Sequence, residues 1–319
     1  MNTKIRAFLR PKKRIFLLIT VSTTCLFISL TSSLSAAEIA VIKSKNIEPF
    51  NLSLKGFKEV VKTDLKTNDM EANLKKGLII IKKIKSEKPN LILGLGAKAA
   101  YIASNNVKDI PIVYSMVSDP ERYKISGKNV TGVKLDIPLE KQFKVFKEVM
   151  PNFKKIGVIL SKDRSEVIVN NARSILKNMG VELVLARITS KKEIPSAVEK
   201  ILSEVDFLWL IFDPLVTASP RIIQEIIIFQ ALQKRIPVIG FNKWSVTKGA
   251  LLSLYSEYED IGIQTGKIVN RILQGEMASS IPVESPDQIK LFFNEKVIAR
   301  VSSKIKLNIP DNALIWEGE

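Results

Sequence analysis

Two aspartate–proline pairs are the first residues in the sequence whose type and position could support binding chemistry. Asp119-Pro120 and Asp213-Pro214 each follow a mainly apolar run. A carboxylate there can pair with a ligand ammonium, or it can cap its own turn by accepting backbone N–H groups. Both roles stay open at Asp119. The recurrence of the pair in both halves of the chain favours two aspartates that face each other across a cleft.

A glycine-rich turn offers a second type of contact. Gly94-Leu95-Gly96-Ala97-Lys98-Ala99 has the spacing G-x-G-x-x-A, which is typical of dinucleotide sites when it follows a strand and opens a helix. The next apolar run, Val113-Tyr114-Ser115, has no acid at its end to hold a ribose. Exposed N–H groups at a helix N-terminus also bind other anions, such as a ligand carboxylate. Gly96 and Ala97 are therefore candidate anion contacts, with a plain tight turn as the alternative.

Further polar and aromatic residues lie near the ends of the same apolar runs. A hydroxyl can bind a carboxylate, and an aromatic ring can line an apolar pocket. Trp244 can stack on a ligand, or it can serve as a hinge or core residue. Tyr255, Glu257 and Tyr258 are predicted to be cleft or hinge residues, and Trp209 a core residue. The additional candidates are Tyr114, Ser115, Ser118, Phe212, Asn242 and Trp244.

Composition excludes several classes of catalytic and metal site. The 319 residues include no histidine and one cysteine, Cys25. Without histidine there is no Ser-His-Asp triad, no Cys-His pair and no imidazole metal ligand. One cysteine forms neither a zinc ribbon nor an iron–sulfur cluster. We therefore expect no metal, no cofactor and no enzymatic activity, with an exported hydrolase using Asp119 and Asp213 as the enzymatic alternative.

The N-terminal segment has the pattern of an export signal. Six basic residues and no acid precede an uncharged stretch at residues 15–30, and Ser35-Ala36-Ala37 follows. This order of basic, apolar and small residues predicts a signal peptide over residues 1–37. The apolar stretch is shorter than the about 20 residues that span a membrane. A retained anchor and lipidation at Cys25 are the alternatives, so we expect a periplasmic or cell-envelope protein that is free or tethered.

Basic residues exceed acidic ones, 49 to 32, and give a net charge of +17. The lysines are scattered, and the densest run, at residues 82–88, lies on one predicted helix end without interleaved aromatic residues. This pattern favours a solvated helix face and no nucleic-acid partner. A weak attraction to an anionic membrane surface stays open.

Short apolar runs alternate with segments of helical periodicity along most of the chain. Runs such as 91–93, 112–114 and 156–160 are apolar at consecutive positions, which is typical of parallel strands covered by helices on both faces. The pattern repeats before and after about residue 135. We therefore predict an α/β protein with two doubly wound lobes, in which ligands bind beyond the carboxyl ends of the strands.

Several motifs carry a resemblance to a known family over nearly all of residues 39–319. In order and spacing they resemble the ABC-transporter substrate-binding proteins of the tryptophan/tyrosine type. The motifs are Val113-Tyr114-Ser115-Met116-Val117-Ser118-Asp119-Pro120, Asn129-Val130-Thr131-Gly132-Val133, Met150-Pro151 with Lys155-Ile156-Gly157-Val158, Ile236-Pro237-Val238, Gly249-Ala250-Leu251, Gly262-x-x-Thr265-Gly266, Ile272-Leu273-x-Gly275 and Ile281-Pro282-Val283.

The resemblance implies a type I periplasmic-binding-protein fold of two Rossmann-like lobes with the ligand between them. It places three crossovers near Val133–Ile137, Leu252–Tyr255 and Pro282–Ser285. Lobe 1 would then comprise residues 38–135 and 254–283, and lobe 2 residues 136–253 and 284–319.

The resemblance also implies a function. An extracytoplasmic binding protein would close on a small organic ligand, here an aromatic or apolar amino acid, and deliver it to ABC permease subunits in the membrane. Ser115 or Ser118 would hold the ligand carboxylate, and Asp119 or Asp213 its ammonium. We expect a monomer. A ligand sensor that signals to a membrane receptor shares fold and export and remains the alternative.

Overall fold

The computed structural model describes residues 38–162 and 165–318. The first part of the chain forms a five-stranded sheet with three helices. The strands are β1 (Ile39–Lys43), β2 (Leu65–Asp69), β3 (Leu91–Leu95), β4 (Ile112–Val117) and β5 (Val130–Lys134), and the helices α1 (Glu48–Val60), α2 (Leu74–Glu87) and α3 (Ala97–Asn106). All neighbours pair in parallel, in the order β2-β1-β3-β4-β5.

The second part of the chain forms a seven-stranded sheet. Its strands are β6 (Lys155–Ser161), β7 (Glu182–Ile188), β8 (Phe207–Trp209), β9 (Val238–Gly240), β10 (Leu252–Tyr255), β11 (Lys290–Asn294) and β12 (Leu314–Trp316). They follow the order β12-β11-β10-β9-β8-β6-β7, in which only β10 and β11 pair antiparallel.

Seven more helices accompany these strands in the described residues. They are α4 (Leu139–Val149), α5 (Glu166–Asn178), α6 (Ile194–Ile201), α7 (Phe229–Gln233), α8 (Lys243–Thr247), α9 (Tyr258–Leu273) and α10 (Glu295–Val301). A π-helical segment, Ile222–Ile228, leads into α7. Helix α9 follows β10 in sequence but packs against α1 and β4 of the first sheet.

Burial explains why the strand sequences are so apolar. Every residue of β3 and β4 is buried, because helices cover the first sheet on both faces. The core of this sheet divides into two apolar clusters, one on the α1 and α9 side and the other on the α2 and α3 side. The second sheet likewise separates two clusters. Each lobe therefore has its own core.

Three connections join the two sheets at their carboxyl edges. The chain leaves the end of β5 for α4 through residues 135–138, and it leaves the end of β10 for α9 through residues 256–257. Helices in βα units begin at the carboxyl edge of their sheet. In the third connection, Glu284 forms a parallel β-bridge with Val133 of β5. The chain then enters β11, where Lys290 lies opposite Tyr255 at the end of β10. The two carboxyl edges therefore lie on either side of these connections, and the space between them is the ligand position expected for this architecture.

The predicted fold class is confirmed, and the structure adds details that the patterns did not predict. The antiparallel β10–β11 pair departs from an all-parallel sheet. The apolar run at 207–212 forms a strand only as far as Trp209, which is buried as predicted. The predicted signal peptide, residues 1–37, lies outside the described residues.

Candidate functional site

An aromatic pair of one exposed and one half-buried ring stands at the carboxyl edge of the second sheet. Phe212 follows β8 and is 77% exposed. Phe241 follows β9, and the two rings meet edge to face, with centroids 6.4 Å apart and an interplanar angle of 83°. A single exposed apolar side chain is ordinary on a protein surface, but two adjoining rings at a carboxyl sheet edge lie where ligands bind in this kind of architecture. Phe212 was a sequence candidate; Phe241 was not, although it lies directly before the candidate Asn242.

Asp213, the next residue in the chain, is buried and anchors the loop that carries Phe212. Its carboxylate accepts hydrogen bonds from the Ser161 N–H (2.8 Å) and hydroxyl (2.7 Å) and from the Ser165 hydroxyl (2.6 Å). It also accepts the N–H groups of Leu215 (2.9 Å) and Val216 (3.0 Å). Burial alone would raise the pKa of Asp213, but the hydrogen bonds outweigh it and hold the pKa below its ordinary value. The carboxylate thus holds five donors of its own chain, and its contact with a ligand ammonium stays a prediction.

Asp119 occupies the corresponding position after β4 but is partly exposed. Its carboxylate accepts the Arg122 N–H (3.1 Å), so the turn-capping role is present in the structure. Its own N–H donates to the Asp136 carboxylate at 3.2 Å. Asp119 has φ 49° and Met116 φ 60°, and such strained non-glycine residues cluster at ligand sites. The exposed Ser118 lies between them at the edge of the sheet.

Tyr114 and Ser115 lie inside lobe 1, on opposite faces of the sheet. Tyr114 is fully buried, and its hydroxyl has no hydrogen-bond partner among the described residues. Burial, and secondarily Glu121, raises the pKa of this phenol. Ser115 accepts the Thr265 hydroxyl at 2.9 Å and lies 3.4 Å from the Ser53 hydroxyl. These bonds link β4 to α1 and α9. Ligand contact by either residue stays a prediction.

The glycine-rich turn forms a capped helix start. Gly96 has φ 83°, a conformation that favours glycine, and its N–H donates to the Ser115 carbonyl at 2.9 Å. The Ser44 hydroxyl accepts the Ala99 N–H at 2.9 Å, so one donor of the α3 N-terminus is already occupied. Ala97 is half-buried beside the turn. Its first-turn position is compatible with an anion contact.

Asn242 and Trp244 belong to the short helix α8. The Asn242 side chain accepts the Ser245 N–H at 3.0 Å and caps the helix. Trp244 is half-buried and packs against an apolar cluster of lobe 2. These contacts are those expected if Trp244 is a core residue, and its stacking on a ligand stays a prediction.

A charged cluster beside the crossovers was only partly predicted. Glu257, in the connection from β10 to α9, accepts Lys243 at 2.6 Å and lies 3.9 Å from Lys290. The Lys243 ammonium also lies 4.6 Å from the centre of the Tyr255 ring. Burial would lower the pKa of Lys243, but the hydrogen bond to Glu257 and the interactions with Tyr255 together outweigh burial and raise the pKa. Tyr255 and Glu257 were sequence candidates, whereas the two lysines come from distant segments that no local pattern connects.

Neither a metal cluster nor a membrane-spanning helix is found in the described part of the chain. No three His, Cys, Asp or Glu residues there are grouped to hold a metal ion. None of the helices there combines the length and the apolarity needed to cross a bilayer.

Comparison with known proteins assigns the family. Residues 50–315 match the family described as ABC transporter substrate binding protein. The chain belongs to this family. It is 27% identical over 252 residues to a tyrosine-binding protein of Clostridioides difficile, covering 76% of this chain and 72% of the relative. An uncharacterised protein of Rickettsia prowazekii is 25% identical over 281 residues, 85% of this chain and 88% of the relative.

Solved structures share the fold of this chain. The ligand-free, open structure of a substrate-binding protein with adhesive properties from Clostridium difficile superposes with a TM-score of 0.77 at 24% identity, covering 89% of this chain and all of that one. A Streptococcus pneumoniae protein in complex with L-Trp gives 0.61 at 22% identity, covering 88% and 100%. The two-lobed type I architecture of this chain is therefore shared with these solved structures.

Proposed function

We propose that the protein is the extracytoplasmic solute-binding component of an ABC importer and captures an amino acid with an aromatic or apolar side chain. The observation that carries the proposal is the Phe212–Phe241 pair, with Phe212 exposed, at the carboxyl edge of the second sheet, across the crossovers from the first. A ring or aliphatic chain enclosed there would shield the exposed Phe212 ring from water and pack beside Phe241. The tyrosine-binding relative and the L-Trp complex support this ligand class.

In the proposed complex, lobe 1 recognises the polar end of the ligand. The partly exposed Asp119 would pair with a ligand ammonium, and the first turn of α3 at Ala97 would hold its carboxylate, joined by Ser118 if its hydroxyl turns from the Asp136 carboxylate that it now binds. Closing the lobes would exclude water and strengthen these contacts. A wrong ligand would leave buried polar groups unpaired, which is a strong source of selectivity. The closed monomer would then deliver the ligand to the permease.

The proposal includes export and division into lobes. Residues 1–37 would direct the chain out of the cytoplasm. Because β10 pairs within the second sheet up to Tyr255, lobe 1 would comprise residues 38–135 and 256–283, and lobe 2 residues 136–255 and 284–319, two residues from the boundary expected from the sequence, with the charged cluster around Glu257 at a crossover. We propose no enzymatic activity and no nucleic-acid partner.

A thermal-shift panel on residues 38–319 tests the proposal, after refolding to remove any bound ligand. The panel contains amino acids, short peptides, sugars and nucleosides. A ligand at 100 times its Kd adds about 2.7 kcal/mol to the free energy of unfolding. We expect a selective shift with aromatic or apolar amino acids. A shift from another class alone would overturn the ligand assignment, and turnover of the bound ligand would contradict the binding-protein role.

Two variants test the site itself. Phe212→Ala removes the exposed ring at the sheet edge, and we expect it to weaken binding of the selected amino acid about tenfold or more. Phe229→Ala is the control, because Phe229 is also exposed, at 56%, but lies in α7 of the same lobe. Equal affinities for both variants would exclude the aromatic pair from the site. Unchanged affinity of Asp213→Ala would remove that aspartate as an ammonium ligand.

A further inference from the structure

The outer side of α2 and α3 in lobe 1 exposes an unusual number of apolar side chains. They are between 40% and 71% exposed, and Ile79 is the most exposed of them. We call this surface, together with the basic residues beside it, the α2–α3 face. Its apolar members are Leu74, Leu78, Ile79, Tyr101 and Tyr123.

Three of these side chains lie together around one depression. A shallow depression of about 400 Å³ is bordered by Leu74 of α2, Tyr101 of α3 and Tyr123 of the loop after β4. Three basic residues border the same depression: Lys98, Arg122 and Lys124. Leu78 follows Leu74 by one helical turn and extends the surface along α2.

Helix geometry mixes apolar and basic groups on the outer side of α2. Successive residues are rotated by about 100°, so that Leu78, Lys82, Lys75 and Ile79 fall within an arc of about 100°. Ile79 lies nearly opposite the buried side of the helix, which is formed by Gly77, Ile81 and Ile84. The isoleucine therefore projects outward from the protein rather than into a groove.

The charge of this face is positive and largely uncompensated. Its acidic neighbours are engaged, since Glu71 pairs with Lys76 at 2.6 Å and Glu87 lies 3.8 Å from Lys83. In the described parts of the chain, Lys75, Lys82 and Lys85 have no carboxylate within ion-pair distance. The sequence pattern assigned the lysine run at residues 82–88 to a solvated helix face. The structure adds that exposed apolar groups of α2, α3 and the loop after β4 lie on the same side of lobe 1.

We propose that the α2–α3 face binds the surface of an anionic lipid bilayer. Lysine and arginine side chains attract anionic headgroups, Tyr101 and Tyr123 suit the headgroup depth, and Ile79 and Leu78 reach the acyl boundary. A peptide held in the depression would leave Ile79, the most exposed apolar group of the face, in water, because Ile79 does not border the depression and projects outward. Binding in this way would hold the protein at a membrane through lobe 1.

Vesicle cosedimentation of the chain from Glu38 onward tests the proposal. Residues 38–319 form a compact unit of their own, and each of its two sheets has an apolar cluster on both faces. The apolar residues 15–30 are absent from this assay. The vesicles contain phosphatidylcholine alone or with about 30% phosphatidylglycerol. We expect partitioning into the anionic vesicles only. The double variant Lys75→Glu/Lys82→Glu should reduce the partition coefficient about 30-fold or more, and Ile79→Ser about tenfold.

Matched variants in lobe 2 separate the face from net charge and from general apolarity. Lys141→Glu/Lys144→Glu on α4 changes the net charge by the same amount, and Val167→Ser removes another exposed side chain, 68% exposed. We expect both to partition like the unaltered protein. Equal loss in the two lysine pairs would overturn the proposal by showing that net charge alone controls binding. Absence of binding to anionic vesicles would also overturn it and leave an acidic protein as the occupant of the face.

Discussion

At the scale of single residues, Asp213 is expected to matter most for stability. Asp213→Ala leaves several buried donors around Ser161 and Ser165 without an acceptor, and each unpaired donor costs free energy. We expect the free energy of unfolding to fall by about 3 kcal/mol, measured by urea denaturation. Asp119→Ala is the control, since that carboxylate caps one exposed turn, and should cost about 1 kcal/mol. Similar losses in both would contradict the anchoring role of Asp213.

The same carboxylate predicts a loss of stability in acid. Hydrogen bonds hold the folded pKa of Asp213 below the unfolded value of about 3.9. The folded protein therefore binds this proton less readily than the unfolded chain does. The resulting stabilisation is fully present above the unfolded pKa and is lost as the pH falls through the folded pKa. We expect Asp213→Asn to show a smaller decline in unfolding free energy from pH 6 to pH 3 than the unaltered protein; an identical decline would argue against this assignment.

The positions of the site residues were partly predictable. A strand followed by polar residues marks a carboxyl edge, and Ser118, Asp119, Phe212 and Asp213 follow strands β4 and β8 in this way. The direction of each side chain was not predictable, because successive strand residues point to opposite faces. Tyr114 accordingly enters one apolar core while its neighbour Ser115 bonds to Thr265 on the other face.

At the scale of elements, the α1–α9 pair depends on glycine at the contact. A Cβ at Gly262 would collide with the Ser53 carbonyl oxygen and lie 2.9 Å from the Phe57 nitrogen. Gly262→Ala must therefore force the helices apart, and we expect a loss of about 3 kcal/mol in unfolding free energy. Gly275, just after the end of α9, has φ 103°, and a Cβ there would meet no atom within 4 Å. Gly275→Ala should therefore cost only the backbone strain, about 1 kcal/mol. Thermal or urea unfolding measures both, and equal costs would show that the close contact is unimportant.

The sequence predicted those elements in which buried positions are also apolar. The runs at β1, β3 and β4 predicted strands because both faces are covered. Strand β2 reads Leu65-Lys66-Thr67-Asn68-Asp69 and lies at the edge of its sheet, so that its pairing with β1 leaves little apolar signal. Strand β12 and the five-residue α8 are too short to show a period. Tertiary pairing creates these elements, and a local pattern does not contain it.

At the scale of the whole molecule, the crossovers join two separately packed lobes through a few residues each. Such connections allow hinge closure around a ligand. The single cysteine of the chain is Cys25, so residues 38–319 contain none and accept introduced cysteines without background labelling. Lys45, after β1, and Ala218, after β8, are both exposed and lie on different lobes. Spin labels at these two positions report the distance between the lobes.

We expect the distance between labels at Lys45→Cys and Ala218→Cys to shorten when the amino acid found in the thermal-shift panel is added, as measured by double electron–electron resonance. The ligand must contact both lobes to favour the closed state, because a ligand with equal affinity for both states shifts no population. Labels at Lys177→Cys and Ala218→Cys, both in lobe 2, should keep their distance. Binding without any change between Lys45 and Ala218 would mean that one lobe alone holds the ligand, and then Asp119 and Phe212 could not belong to one site.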